Sequence, residues 1–304
     1  MIVLIDAGNT RVKFGSVLPD GQRELVPLAL RHTGLDRLSD WVRKLPQAPT
    51  AALGVNVAGA AAAAAIEARL AAHGCPISWI NSQNQAGGVR NAYDRASQLG
   101  ADRWVSLIGL AWHARGRTGP DEHNNGTRHV AIPEQPPLML ASFGTATTID
   151  TLAIDTAVQS PSTDTPQSNN WLFLGGLIFP GATLMRSSLV EGTANLPEAS
   201  GTAAAYPTNT HQAIVTGIAA AQAGAVLRQW LTGLEVSGQA PRVYSSGGAW
   251  PIVKDETQRL LTAAQKRMGL HETPIEWLPS PVLDGLAVLA LGQGSLRASQ
   301  FALH

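Results

Sequence analysis

The chain has 304 residues, enough for two domains with cores of their own. Apolar residues make up 44% and charged residues 14%, a balance that fits a well-packed soluble protein and excludes a disordered one. The formal net charge is zero, so the basic footprint of a nucleic-acid binder is missing.

The most alanine-rich stretch, residues 58–65, is broken by Gly59 and followed by Glu67 and Arg69, too short and too weakly apolar to span a bilayer. The first residues form a strand-like run that reaches Asp6 without a basic leader, which argues against a signal peptide. Cys75 is the single cysteine, so no internal disulfide forms and a reducing cytoplasm is expected.

In chain order, residues 2–5, 12–18 and 25–30 read as short strands, the first two joined by the Gly8-Asn9 turn. Leu35, Leu38, Trp41, Val42 and Leu45 have helical spacing that Pro46 stops. Residues 51–57 return to strand character, 60–72 form a helix ended by Gly74 and Pro76, and 77–80 make another strand. Residues 101–114 spell a mostly buried helix with Asp102 near its start.

Residues 116–137 are polar and rich in Gly, Pro, Asn and His, as an exposed connection is; His123 and His129 lie there without metal-ligand spacing. The second half resumes with strands at 138–141 and 149–154, a polar loop at 159–170, and a strand at 171–180 whose Gly175-Gly176 marks a bulge or close backbone approach. Helices are expected over 182–191, 211–231, 257–268 and 283–291, with strands at 242–245 and 275–278. The division reads as an N-terminal domain over 1–116, a linker over 117–137 and a C-terminal domain over 138–304.

Two turns carry chemistry. The run Asp6-Ala7-Gly8-Asn9-Thr10-Arg11-Val12-Lys13 ends a buried strand with a carboxylate, a glycine and a hydroxyl. The glycine lets backbone N–H groups approach an anion, the carboxylate can hold a hydrated divalent cation, and Lys13 can offset phosphate charge. Alone, such a turn is weak evidence, because hairpins use the same residues for geometry. Ser142-Phe143-Gly144-Thr145-Ala146-Thr147-Thr148 follows a second apolar run and has related composition. No Walker A or strand-following Gly-Xaa-Gly-Xaa-Xaa-Gly sequence is present, so P-loop and Rossmann readings are poor.

The segment Gly100-Ala101-Asp102-Arg103-Trp104, with Tyr93 before it, admits two readings. Asp102 is either a first-turn residue that caps a helix, or the general base that collects the proton of an acceptor hydroxyl in phosphoryl transfer. Arg103 then pairs with the substrate or with charge on the transferring group.

Together with Gly175-Gly176-Leu177-Ile178-Phe179-Pro180-Gly181, Thr193-Ala194-Asn195-Leu196-Pro197 and Ser246-Gly247-Gly248, these segments resemble the type III pantothenate kinases. The resemblance implies an α/β fold of two similar actin-like (ribonuclease H-like) domains, each a mixed sheet flanked by helices, with a nucleotide cleft between them. It implies ATP-dependent phosphorylation of pantothenate on its terminal hydroxyl to 4'-phosphopantothenate, the first step towards coenzyme A. Matched by position, Asp6 to Lys13 and Thr145 contact ATP, and Asp6 lies near magnesium. Asp102 is the proton acceptor. Tyr93, Gly100, Ala101, Asp102 and Arg103 line the pantothenate pocket, and Thr193 reaches pantothenate across a homodimer formed through the second domain.

One departure stands out. Where the family commonly has an aspartate that helps bind potassium or ammonium, this chain has Ser142, so weak or absent activation by monovalent cations is expected. Two other classes fit the same residues: a kinase or phosphatase of the superfamily acting on a different small alcohol, and an accessory factor for gene expression.

Overall fold

The computed structural model describes residues 1–24, 26–115, 135–157 and 170–292. Leu25, the two histidines His123 and His129, and nearly all of the two polar loops expected over 116–137 and 159–170 lie outside the described residues.

The strands and helices are β1 (Ile2–Ala7), β2 (Val12–Val17), β3 (Leu28–Leu30), α1 (Leu38–Arg43), β4 (Ala51–Asn56), α2 (Ala60–Ala71), β5 (Ile77–Trp79), β6 (Gln85–Ala86), β7 (Val89–Asn91) and α3 (Ala101–Arg115). They continue with β8 (Leu138–Phe143), β9 (Ala146–Ile154), β10 (Trp171–Pro180), α4 (Ala182–Gly192), α5 (Thr210–Ser237), β11 (Arg242–Ser246), α6 (Trp250–Arg267), β12 (Glu276–Trp277) and α7 (Pro281–Leu291). Two compact units result. The first takes Met1–Gln135, Ile154–Leu174 and Ser280–His304; the second takes Pro136–Ala153 and Gly175–Pro279.

In the first unit the strand order is β3-β2-β1-β4-β5. The β1-β2 and β2-β3 pairs are antiparallel, whereas β1-β4 and β4-β5 are parallel. Alternation along β1 sorts its side chains. Val3, Ile5 and Ala7 join Leu38, Ile66 and Leu70 of α1 and α2 in one core. Leu4 and Asp6 point the other way, with their partners in register on β2, Gly15 and Lys13. That second face carries α7: a Cβ on Gly15 would stand 3.3 Å from Leu283. Helix α3 packs on α7 at a crossing where the backbones touch, since a Cβ on Gly109 would lie 2.1 Å from the Pro281 carbonyl and one on Gly285 1.9 Å from that of Val105.

The second unit repeats this plan. Its order is β12-β11-β8-β9-β10, with β8-β9 antiparallel and both β11-β8 and β11-β12 parallel. The opening hairpin and parallel crossover of the first unit recur, so the chain consists of two mixed sheets flanked by helices, as expected. The core gathers Phe143, Ile149, Val226, Trp230 and Trp250. Helix α5 starts where Asn209 Oδ1 accepts from the Gln212 N–H at 3.0 Å and stops at Gly238, whose φ of +71° admits the left-handed C-cap.

Several boundaries differ from the expectations. The helix expected over 35–45 is a 3-10 turn, His32–Arg37, followed by the short α1, because Gly34 leaves helical geometry inside it. Helix α6 begins at Trp250, seven residues before the expected start at 257; Pro251 is tolerated in its first turn, where its missing N–H costs nothing. Gly175 has φ +129° and open space where a side chain would stand, so it serves backbone conformation and no close approach occurs there. Ser142 belongs to β8 itself, and the turn proper is Gly144-Thr145. The C-terminal helix α7 packs with the N-terminal strands, outside the linear division at 138–304. Strands β6 and β7 are too short for a period to show in the sequence.

Candidate active site

The first phosphate-type turn is held at both ends. Gly8 N–H donates to the Arg11 carbonyl at 3.1 Å, and His32 Nε2 donates to the Gly8 carbonyl at 3.0 Å. Behind it, Val57 N–H ties β4 to the Ala7 carbonyl at 3.0 Å. Asn9, Thr10 and Arg11 are exposed, whereas Val12 is buried in the sheet. Asp6 and Lys13 face each other across the antiparallel ladder. Burial pushes the Asp6 carboxyl up to about 6; Lys13 pulls it down, and the Asp102 carboxylate pushes it up. Asp102 of α3 therefore lies within electrostatic reach of the turn.

Asp102 occupies the first turn of α3, with Oδ1 accepting from the Arg103 N–H at 2.8 Å. The capping reading of this residue is thus realised by one oxygen. Asp102 Oδ2 has no hydrogen-bond partner among the described residues. Gly100 gives the carboxylate its room, because a Cβ there would meet Oδ1 at 2.8 Å. Ala101 precedes Asp102 at the half-buried start of the helix.

Beside them, Arg103 Nη1 donates to the Tyr93 hydroxyl at 3.4 Å, and its guanidinium lies 6.0 Å from the centre of the Phe173 ring. The Tyr93 and Phe173 rings are 5.3 Å apart, and Asn91 Oδ1 accepts from the Tyr93 N–H at 3.0 Å. Strand β7 pairs with the start of β10, Asn91 opposite Phe173, which fixes this group. Phe173 is fully buried and backs this pair from the core; a guanidinium beside a phenol suits a small acid.

In the second unit two glycines, Gly181 and Gly247, converge on the β8-β9 turn. Gly181 N–H donates to the Thr145 carbonyl at 3.0 Å, and a Cβ on Gly181 would lie 2.2 Å from the Gly144 carbonyl. Gly247, with φ +95°, approaches so closely that a Cβ would be 2.3 Å from the Phe143 carbonyl. The Ala249 N–H donates to that same carbonyl at 3.0 Å, and Phe143 stacks on Trp250 at 5.3 Å. The result is an exposed Thr145 on a rigid corner.

The chain as a whole matches known proteins. Residues 2–232 match the type III pantothenate kinase family. A type III pantothenate kinase of Bordetella bronchiseptica is 47% identical over 95% of this chain and 97% of its own. Its counterpart from Bordetella pertussis is 47% identical over 98% and 100%, and that of Aromatoleum aromaticum 38% identical over 95% and 98%. The chain belongs to the type III pantothenate kinase family. It is a kinase, and phosphorylation of pantothenate in coenzyme A biosynthesis is the activity that membership carries.

Of the site residues expected from the sequence, Asp6 to Lys13, Tyr93 and Gly100 to Arg103 belong to the first unit. Thr145 and Thr193 belong to the second unit. Thr193 sits at the exposed end of α4, where its hydroxyl donates to the Leu189 carbonyl at 2.7 Å. Three supports of these groups are not evident from the sequence. Phe173, which backs Tyr93 from the core, lies in a strand that reads only as core. His32 bears on Gly8 only through the fold. The buried Arg23–Asp284 ion pair joins the loop after β2 to α7 across the chain's whole length, which no local pattern reveals.

Proposed function

We propose that Asp102 is the proton acceptor, that the Asp6–Lys13 turn binds the nucleotide phosphates, and that Tyr93 and Arg103 hold pantothenate. The observation that carries this reading is that Asp102 keeps Oδ2 without a hydrogen-bond partner among the described residues, next to Arg103, whose guanidinium meets the Tyr93 hydroxyl. The acceptor oxygen forms a bond to the γ-phosphorus of ATP as the bond to the β,γ-bridging oxygen breaks. The hydroxyl proton passes to Asp102 Oδ2. Because the transition state is loose, an ordinary carboxylate that orients the alcohol and takes its proton late suffices. Lys13 and the N–H groups of the turn offset charge on the phosphates, and Arg103 neutralises the pantothenate carboxylate.

The residues fit magnesium that arrives with the nucleotide. Among the described residues no group of three or more His, Cys, Asp or Glu could hold a metal ion. Asp6 offers a single carboxylate made uncomfortable by burial, and magnesium is commonly held by one or two carboxylates plus phosphate oxygens. Asp6 would hold the cation, which would supply positive charge against the phosphates. The β8-β9 corner offers Thr145 as a contact for ATP. Potassium or ammonium contributes little, because Ser142 offers a neutral hydroxyl.

The homodimer forms through the second unit, where Ile178, Leu184 and Val190 on β10 and α4 are exposed. Among the described residues no helix is long and apolar enough to cross a membrane. A cytoplasmic place with no nucleic-acid partner agrees with a net charge of zero and with Cys75 being buried and unpaired. A panel of small alcohols assayed with ATP tests the acceptor: pantothenate should turn over best, and preference for another alcohol would overturn the pocket assignment.

A further inference from the structure

Strands β2 and β3 end on a concentration of positive charge. Val12 pairs with Leu30, so Arg11 and Arg31 are the next residues beyond that pair, like charges brought side by side at the ladder's end. Such a juxtaposition is unfavourable unless an anion answers it. Arg37 closes the 3-10 turn that follows, and the three arginines line one cavity of about 410 Å³ together with Thr33 and Gly34. None of the three guanidiniums has an ion-pair or hydrogen-bond partner among the described residues, and Asp36, the carboxylate on the same turn, makes no ion pair with them. The cavity is also preorganised, since His32 between Arg31 and Thr33 is fastened to the Gly8 carbonyl.

We propose that Arg11, Arg31 and Arg37 form a binding site for a phosphate-bearing anion. Guanidinium forks match phosphate oxygens two at a time, and a hydroxyl and a glycine beside them leave room for close approach. Arg11 belongs to the turn assigned to ATP, whereas Arg31 and Arg37 stand outside that assignment. The anion is therefore either the tail of the nucleotide itself or a separate phosphate compound, and the chemistry of recognition is the same. The site rests on its arginines and does not depend on the kinase assignment.

Calorimetric titration of the full-length protein with inorganic pyrophosphate tests it, with wild type compared against Arg31→Gln/Arg37→Gln. Both substitutions are at exposed positions, and a thermal melt checks the fold. The expected result is pyrophosphate affinity about tenfold or more weaker in the double variant, with partial rescue by Arg31→Lys/Arg37→Lys. Repeating the titration on protein saturated with a non-hydrolysable ATP analogue distinguishes the sources. Loss of the arginine-dependent binding identifies the nucleotide's tail, and its persistence identifies a separate ligand. Equal affinity in wild type and double variant, or no binding by wild type, would overturn the proposal.

Discussion

Gly100 and Asp102 are coupled by space: a side chain at position 100 would press on Asp102 Oδ1 at 2.8 Å, the oxygen that caps α3. Gly100→Ala should therefore turn the carboxylate away from its place and weaken its bond to the Arg103 N–H. A misplacement of this kind lowers kcat by roughly tenfold to a hundredfold. Steady-state kinetics should show the KM for ATP close to wild type, and urea denaturation a loss of about 1 kcal/mol, as for a helix cap. An unaltered kcat would mean that the geometry at Gly100 does not serve the base.

Asp6 makes stability depend on pH in a definite direction. Its folded pKa of about 6 lies above the ordinary 3.8, so the folded protein holds this proton longer than the unfolded chain does. The carboxylate costs nothing below about 3.8, its penalty grows as pH rises towards 6, and above that it is complete. Ligand-free Asp6→Asn should melt higher than wild type at pH 8, and the gap should shrink towards pH 4. Magnesium with ATP should raise the wild-type Tm and leave that of the variant almost unmoved. A gap independent of pH would contradict the burial argument.

The contact of α3 with α7 ties the candidate base to the C-terminal helix. Gly109→Ala would drive a methyl into the Pro281 carbonyl, and overpacking of this kind costs on the order of 2 kcal/mol or more. Asp284→Ala would deprive buried Arg23 of its carboxylate, a loss of roughly 3 kcal/mol. Urea denaturation measures both. Changes below about 0.5 kcal/mol, the range of ordinary surface substitutions, would show that the crossing relaxes freely.

Ser142 lies in the ladder between Thr148 of β9 and Ser246 of β11. With hydroxyls on both sides and no carboxylate at position 142, a monovalent cation gains little there. Replacing potassium by a bulky organic cation should leave most of the turnover, and Ser142→Asp should create potassium stimulation. Complete loss of activity without potassium in the wild type would sink this expectation.

Much of the fold is legible in the sequence because its signals are local. The apolar run before Asp6 and the turn after it mark a buried strand and hairpin, and the bounds of β10 match to the residue. The turn at Gly144-Thr145 is visible for the same reason. What stays hidden depends on distant partners. Helix α7 reads as an apolar helix in any setting, and only its glycine contact with α3 reveals that it belongs with the first strands. Phe173 is core, as its strand suggests, and only the pairing of β7 with β10 shows that it is the core residue beneath Tyr93. Strands β6 and β7 offer too few residues for alternation to register. In α6 the amphipathic pattern shows only from 257, while the helix starts at Trp250 and accepts Pro251 in its first turn.

The central claim is that Asp102 takes the proton of pantothenate's hydroxyl. The most direct measurement is pantothenate-dependent ADP release by purified wild-type protein and Asp102→Asn, in a coupled assay with magnesium and ATP. The asparagine keeps an oxygen for the Arg103 N–H, so the helix start and the melt should survive. The account predicts kcat lower by about 10²-fold or more, as loss of a general base typically gives. Turnover equal to wild type would reduce Asp102 to a helix cap and contradict the account.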